Sequence, residues 1–342
     1  MFENRAFIIA ELSANHGHNI ETALESIRAA KECGVDAVKV QTYTPDTITL
    51  DCDNEFFQIK QGTLWDGTTL HKLYQEAYMP WEWHATLRDE AERLGLVFFS
   101  TPFDFTAVDF LESMGNPIYK IASFEINDIP LIEYAASKGK PMIMSTGVAT
   151  IGEIQEAIDA CKRVGNIDIT LLKCTSSYPA PIEAANLRTI PNMAETFGVK
   201  VGLSDHTIGS IVPVVAVAMG AKVIEKHFIL DRAVGGPDAS FSMTPAEFKD
   251  MVQQVRTAES AMGKVEYLYD PKGIANCHFK RSLFVSEHIS KGDKFTKDNV
   301  RSVRPNVGMS PSFLPSILGR VATVDLMKGT PLMMDHIGTS DE

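Results

Sequence analysis

Residues 201–228 read VGLSDHTIGSIVPVVAVAMGAKVIEKHF. A short apolar run, Val201–His206, stops on a histidine. A helical stretch, Ser210–Met219, then ends at Gly220, and a second apolar run, Val223–Phe228, again carries a histidine at its end. Strand, helix, glycine and strand make one βα unit, whose two strands run parallel. Side chains alternate faces along a strand, so Ser204 and His206 share one face, and Glu225 and His227 share another. Either histidine alone reads first as a core residue. Two leaving the ends of neighbouring parallel strands are placed to grip one divalent metal, and the same design recurs along the chain.

Working outward, β-branched or aromatic runs appear at Phe7–Leu12, Ala37–Thr42, Val97–Thr101, Tyr119–Ala122, Met142–Thr146 and Ile169–Thr175. Amphipathic stretches separate most of them: Ile20–Cys33 before Gly34, Trp81–Leu94 before Gly95, Ile129–Lys138 before Gly139, and Ile151–Val164 before Gly165. Eight such units predict an α/β chain with a (β/α)8 TIM barrel over residues 1–262. Residues 43–80 form a long insert after the second strand, containing Trp65, where barrels carry active-site loops; a substrate-covering role or plain loop elaboration fits it. Beyond the helical stretch Pro245–Met262, residues 263–280 read as a linker. Residues 281–342 then read as a small β-rich module, with short strands at Ser282–Val285, Ile289–Asp293, Val300–Arg304 and Val321–Asp325. That module is too small to be comfortable alone and is expected to dock on a barrel.

Composition bounds the partners. The 342 residues carry 32 Lys and Arg against 44 Asp and Glu, a net charge of −12, which argues against nucleic acid or an anionic membrane. A few lysines converging in a cleft still suit a small anionic substrate. The five cysteines, Cys33, Cys52, Cys161, Cys174 and Cys277, form no CxxC pair and read as reduced thiols. The opening residues, with Glu3, Arg5 and a brief apolar run, resemble no signal peptide, and no stretch approaches the roughly 20 apolar residues of a membrane span. A cytoplasmic location is the expectation.

The chemistry of a (β/α)8 enzyme sits at the C-terminal strand ends. Those ends here carry Glu11 with Asn15-His16, Lys39 and Gln41, Ser100-Thr101, Lys120 with Ser123 and Glu125, and Ser145-Thr146. They continue with Lys173 and Ser176-Ser177-Tyr178, Ser204-Asp205-His206, and Glu225 with His227. Lysines among hydroxyls form a cationic, donor-rich basin suited to phosphate and carboxylate. His206 and His227 with substrate and water oxygens suit Mn2+, while Co2+, Mg2+ and Zn2+ are less firmly excluded. Glu125 and Glu11 suit stabilising a developing cation or moving protons, and Asp238 suits a sugar hydroxyl. Together these predict metal-assisted carbon–carbon bond formation between a phosphorylated small acid and a carbonyl compound.

Seven collinear motifs then carry a resemblance: FIIAELSANH at 7–16, KVQT at 39–42, FSTPF at 99–103, YKIASFE at 119–125, MSTG at 144–147, GLSDH at 202–206 and EKHF at 225–228. In this order they resemble the bacterial sialic acid synthase family, and the tail from Arg281 resembles its antifreeze-like (SAF) domain. The forms ELSANH, QTYTPD at 41–46 and KCTSSYP at 173–179 are most similar to the pseudaminic acid branch of that family. The N-acetylneuraminic and legionaminic branches stand as alternatives.

The resemblance implies that phosphoenolpyruvate condenses with the open-chain aldehyde of an N-acetylated amino sugar, with cleavage of its C–O bond. It implies phosphoenolpyruvate contacts from Lys39, Thr101, Lys120, Ser123, Ser145 and Ser204, with Ser176 in place of a family asparagine. It further implies a metal on His206 and His227, Glu125 beneath an oxocarbenium-like carbon, and Glu11, Gln41, Tyr178 and Asp238 along the sugar. Arg304, in VRP at 303–305, would reach into a partner's active site, which implies a homodimer whose SAF domain docks on the partner barrel. Three rivals remain open at this point. A Schiff-base aldolase would use Lys39, Lys120, Lys173 or Lys226, another phosphoenolpyruvate-dependent sugar-acid synthase lacks the appended module, and an ice- or carbohydrate-binding tail would sit on an inert barrel.

Overall fold

The computed structural model describes residues 5–267 and 270–339. The chain divides into two compact units, Met1–Gly263 and Lys264–Glu342. In the first, β1 (Phe7–Glu11), β2 (Ala37–Thr42), β3 (Val97–Pro102), β4 (Tyr119–Ile121), β5 (Met142–Ser145), β6 (Ile169–Cys174), β7 (Lys200–Asp205) and β8 (Val223–His227) close into a barrel in sequence order. Every pairing is parallel, including the closing one of β1 with β8, in which Glu11 stands opposite His227.

A ring of helices covers the barrel, and local chemistry sets their ends. Asn19 caps the helix Ile20–Cys33 by accepting from the amides of Glu21 and Thr22, and Gly34 stops it at φ +84°, a left-handed conformation that a side chain would strain. The helix Ile151–Arg163 opens on a Thr150–Glu153 capping box, and Pro245–Met262 opens on a Thr244–Glu247 box with proline in its first turn. The expected helix at 81–94 begins as a 3-10 turn, Trp81–Trp83, following Pro80, and becomes regular from His84.

The period of two in each strand separates the barrel into two cores. One parity (Ile8, Ala10, Val38, Val40, Leu171, Leu203, Ile224) packs outward against helix residues such as Ala23, Ile27 and Ala30. The other (Phe7, Ile9, Ala37, Phe99, Ile118, Ile143, Leu172, Val223) fills the interior as a dry floor. Continuing the inward parity toward the strand ends gives Glu11, Lys39, Gln41, Thr101, Lys120, Ser145, Cys174, Ser204, His206, Glu225 and His227. The barrel is therefore apolar below and polar at its mouth.

In the second unit β9 (Ser282–Val285) pairs antiparallel with β10 (Val300–Val303) over a core of Leu283, Val285, Ile289, Phe295, Val300 and Leu332. The runs expected as strands at 289–293 and 321–325 make only isolated bridges, Ile289 with Leu326, Val321 with Lys294 and Ala322 with Ile337. Gly292 at φ +91° and the Asp293 carboxylate accepting from Ser290 N turn the chain too tightly there for a ladder. The segment read as a linker contains a short helix, Pro271–Asn276, because Asp270 caps the Gly273 amide and proline occupies the first turn. Residues 268–269 of that segment, and 340–342 of the expected module, lie outside the described residues.

Gly202 sits on the inward parity of β7, where a Cβ would stand 2.5 Å from the Val223 carbonyl oxygen and 2.7 Å from Leu172 Cδ2. A backbone oxygen in a closed barrel cannot step aside. Gly202→Ala is expected to cost about 1–3 kcal/mol through overpacking and to lower the thermal midpoint by several degrees. An unchanged melting curve would show that the floor is not close-packed at this point.

Candidate active site

Four buried charges meet at the mouth, all delivered by the inward parity. Lys39 Nζ pairs with the Glu11 carboxylate, donates to Thr101 Oγ1 at 3.1 Å, and lies 3.9 Å from Glu225 Oε2. Lys120 Nζ donates to Glu225 Oε1 at 3.2 Å, and Ser204 Oγ donates to the same oxygen at 3.2 Å. All four side chains are under one-tenth exposed, so each ammonium needs a carboxylate nearby. Burial lifts Glu11 to about 6 despite the Lys39 charge. Burial would raise Glu225 too, but the Lys120 and Lys39 ammoniums hold it below its ordinary value. Glu225 Oε2 and Ser145 Oγ are shielded from solvent without a hydrogen-bond partner. Unpaired buried polar atoms at a barrel mouth are what an incoming ligand satisfies.

Beside the charges lie the two histidines. The His206 and His227 ring centroids are 5.3 Å apart at an interplanar angle of 58°. His206 Nδ1 lies 2.9 Å from the Thr175 carbonyl, which makes Nδ1 the donor and leaves Nε2 with its lone pair. Burial first, and then nearby positive charge such as that of Lys39, push His227 well below the ordinary imidazole value, so that ring is neutral. His227 Nδ1 lies 3.7 Å from Asp238 Oδ2 and makes no hydrogen bond. Tyr178 and Phe241 box the pair, with ring centroids 4.3 Å from His206 and 4.9 Å from His227 respectively.

A cavity of about 970 Å3 opens above these groups, lined among others by Gln41, Ser123, Glu125, Ser176, Tyr178, His227 and Asp238. Ser123 Oγ accepts from Gly147 N at 3.1 Å, tying the β4 end to the β5 end. Glu125 is half-buried, yet its Oε2 is sealed from solvent and unpartnered, and burial lifts the carboxyl from an ordinary 4.5 to about 7. Burial also raises Asp238, whose Oδ2 accepts from Ala14 N at 3.5 Å.

The barrel thus gathers fourteen of the fifteen residues singled out from sequence around its mouth and cavity; Arg304 follows β10 in the second unit. Glu225 was placed at a strand end beside His227 but given no role as shared counter-ion, while Cys174, at 3.9 Å from His206 Nδ1, and Phe241, in the aromatic box, were not singled out for the site. The period of two puts Cys174 on the inward face of its strand. Two rival lysines fall on the outward parity: Lys226 bonds Asp205 Oδ2 at 2.5 Å and the Thr207 carbonyl, and Lys173 bonds the Cys174 carbonyl at 2.6 Å. Neither is free to form a Schiff base inside the barrel.

The NeuB family profile matches residues 26–267 and the SAF domain profile matches residues 280–338. The chain belongs to the NeuB family. This NeuB chain is 50% identical to the pseudaminic acid synthase of Helicobacter pylori over 97% of its length and 98% of the relative's. It is 38% identical to the N,N'-diacetyllegionaminic acid synthase of Legionella pneumophila over 97% of this chain and 94% of that one. A crystal structure of N-acetylneuraminic acid synthetase from Leptospira borgpetersenii superposes with a TM-score of 0.71 at 31% identity, covering 80% of this chain and 90% of that chain.

The Glu125 environment has a consequence for stability. A carboxyl held at about 7 when folded and near 4.5 when unfolded contributes stability that is fully present below 4.5 and lost as pH rises through 7. At pH 8 the fold therefore carries a half-buried carboxylate with one oxygen sealed and unpartnered. Glu125→Gln is expected to raise the thermal midpoint relative to wild type at pH 8 and by much less at pH 5. Equal differences at the two pH values would remove burial as the cause.

Proposed function

We propose that this chain condenses phosphoenolpyruvate with the open-chain aldehyde of 2,4-diacetamido-2,4,6-trideoxy-L-altrose to give pseudaminic acid and phosphate. The observation that carries the reading is the ring of two lysines and their hydroxyl neighbours, sealed at the mouth beside two imidazoles and an open cavity. Half-identity over nearly the full length to a pseudaminic acid synthase selects the sugar.

In this reading Lys39, Thr101, Lys120, Ser123, Ser145, Ser176 and Ser204 hold phosphoenolpyruvate, whose anionic groups take up ammonium and hydroxyl donors that now face Glu11 and Glu225. C3 of the enol attacks the aldehyde carbon, and C2 becomes cationic. Water adds to C2, and phosphate departs with cleavage of the C2–O bond. The added water gives up a proton as the nascent alkoxide gains one. Glu125 in its ionised form stabilises the charge on C2. Glu11, lifted toward neutrality, handles the protons. Gln41, Tyr178 and Asp238 orient the sugar.

His206 and His227 fit a metal: one ring is fixed by the Thr175 carbonyl with Nε2 free, and the other is neutral and unbonded at Nδ1. Among the described residues no cluster of three or more His, Cys, Asp and Glu side chains is arranged to hold an ion, and oxygens of substrate and water would complete the set. Such a mixture suits Mn2+ best, with Co2+ or Mg2+ next. When bound there, the ion polarises the aldehyde oxygen.

Phosphate release from phosphoenolpyruvate, measured with the diacetamido altrose, a legionaminic precursor and N-acetylmannosamine, with and without Mn2+, tests the proposal. Fastest turnover with the altrose and loss of activity in chelator are expected. Preference for either other sugar moves the enzyme to a sister activity, and full activity in chelator removes the metal.

The chain works as a cytoplasmic homodimer in which the second unit docks on the partner barrel and Arg304 meets the sugar's acyl group. Among the described residues no helix is long and apolar enough to cross a membrane. Arg304→Ala is expected to leave the phosphoenolpyruvate KM intact while sharply raising that of the sugar. Unchanged kinetics would reject the trans contact.

A further inference from the structure

The insert between β2 and the helix His84–Arg93 folds back on itself beside the cavity. Ile59 N donates to the Thr68 carbonyl at 3.0 Å, Gly67 N to the Ile59 carbonyl at 3.1 Å, and Leu70 N to the Phe57 carbonyl at 2.9 Å. Asp66 knits the tip, its carboxylate accepting from the amides of Gly62 and Thr63 at 2.9 Å each. The tip so ordered presents Trp65. Its Nε1 donates to the Pro237 carbonyl at 3.1 Å, and its ring lies 5.4 Å from that of Tyr178. A single indole thereby bridges the loop after β6 to the loop after β8, next to Tyr178 on one side and Asp238 on the other. Ile59, Leu70, Leu73 and Tyr74 continue the same wall of the cavity.

This wall is mostly apolar in a site whose floor is charged, although Gln58, Gln61 and Thr63 of the insert also line the cavity. Phosphoenolpyruvate, with a phosphate, a carboxylate and one methylene, offers it almost nothing to cover. A trideoxy diacetamido hexose carries two acetyl methyls and a terminal methyl, whereas N-acetylmannosamine carries one acetyl methyl and hydroxyls elsewhere. We propose that Trp65, anchored through the Pro237 carbonyl, is the specificity-determining wall of the sugar site and packs on the methyl-bearing side of a 6-deoxy diacetamido hexose. The inference rests on the activity read above and deepens it: polar groups choose the chemistry, and the indole chooses which sugar is held for it.

The test uses the full-length protein with wild type, Trp65→Ala and Trp65→Phe in parallel, following phosphate release with the diacetamido altrose and with N-acetylmannosamine. An apolar contact of methyl size discriminates by roughly 10- to 200-fold. Trp65→Ala should therefore raise the altrose KM by about tenfold or more and shrink the kcat/KM ratio between the two sugars by a similar factor. The phosphoenolpyruvate KM should stay within about twofold, and Trp65→Phe, which keeps an aromatic face, should retain most of the discrimination. A ratio unchanged in Trp65→Ala overturns the wall, as does a parallel rise in both substrates' KM, which would mark a merely structural loop. These results differ from failure of the activity itself, because wild type that releases no phosphate with any of the sugars overturns the activity and the wall with it.

Discussion

The fold turns on placing two ammoniums and two carboxylates inside a closed barrel above a buried apolar floor. Removing a charge from water costs several kcal/mol after relaxation, and attraction at short range repays that only when every ion is paired. Lys39 with Glu11, and Lys120 with Glu225, meet that condition, and Thr101 and Ser204 add hydrogen bonds to the pairs. The apolar floor of Ile9, Phe99, Ile143, Leu172 and Val223 is what keeps these pairs dry and so keeps the interactions strong. An arrangement balanced in this way is poised for an anion. A phosphate or carboxylate that reaches the mouth offers the lysines new partners at little desolvation cost, because the lysines have already lost their water.

The same environment separates carboxyl groups that are equal in water. Glu225, between two ammoniums, is held ionised, while burial lifts Glu11 to about 6 and Glu125 to about 7. Carboxyls pushed apart in this way do not ionise together, so one mouth can hold both fixed charge and an exchangeable proton. The histidines are likewise held in chosen states, His227 neutral by burial and His206 oriented by the Thr175 carbonyl. None of these settings requires unusual backbone. They follow from which residues the period of two turns inward at the end of each strand.

That period is why so much was legible beforehand. Short apolar runs ended by polar residues, alternating with amphipathic stretches stopped by glycine, admit few arrangements other than a parallel barrel. The inward parity can be counted from Phe7 to Glu11, or from Val223 to His227, without coordinates. Contacts between segments distant in sequence were beyond such counting. The distance of 3.9 Å between Lys39 and Glu225, or the bond from Trp65 to Pro237 across 172 positions, depends on barrel closure and on how an insert folds. The expected strands at 289–293 and 321–325 failed for another reason. Their apolar residues do enter the core, as Ile289 and Ala322 show, but with a tight turn at Gly292 they make isolated bridges rather than a ladder.

The insert shows how a barrel can change substrate without disturbing its reaction. Residues on the strands are fixed twice, once by the ladder and once by the parity that decides whether a side chain meets the floor, the mouth or the helices. A substitution at Lys39 or Glu225 therefore alters the charge balance of the whole mouth. Residues 43–80 are bound by no such register. Their backbone is closed on itself by the bonds around Asp66, and Trp65 is attached to the rest of the site through one hydrogen bond to a backbone carbonyl and one ring contact. A main-chain acceptor remains whatever side chain stands at 237, so the position of the wall is secured independently of the groups that perform the chemistry. Selectivity and catalysis then sit on separate elements, and the wall can be reshaped at the cost of a few apolar contacts rather than of buried ion pairs.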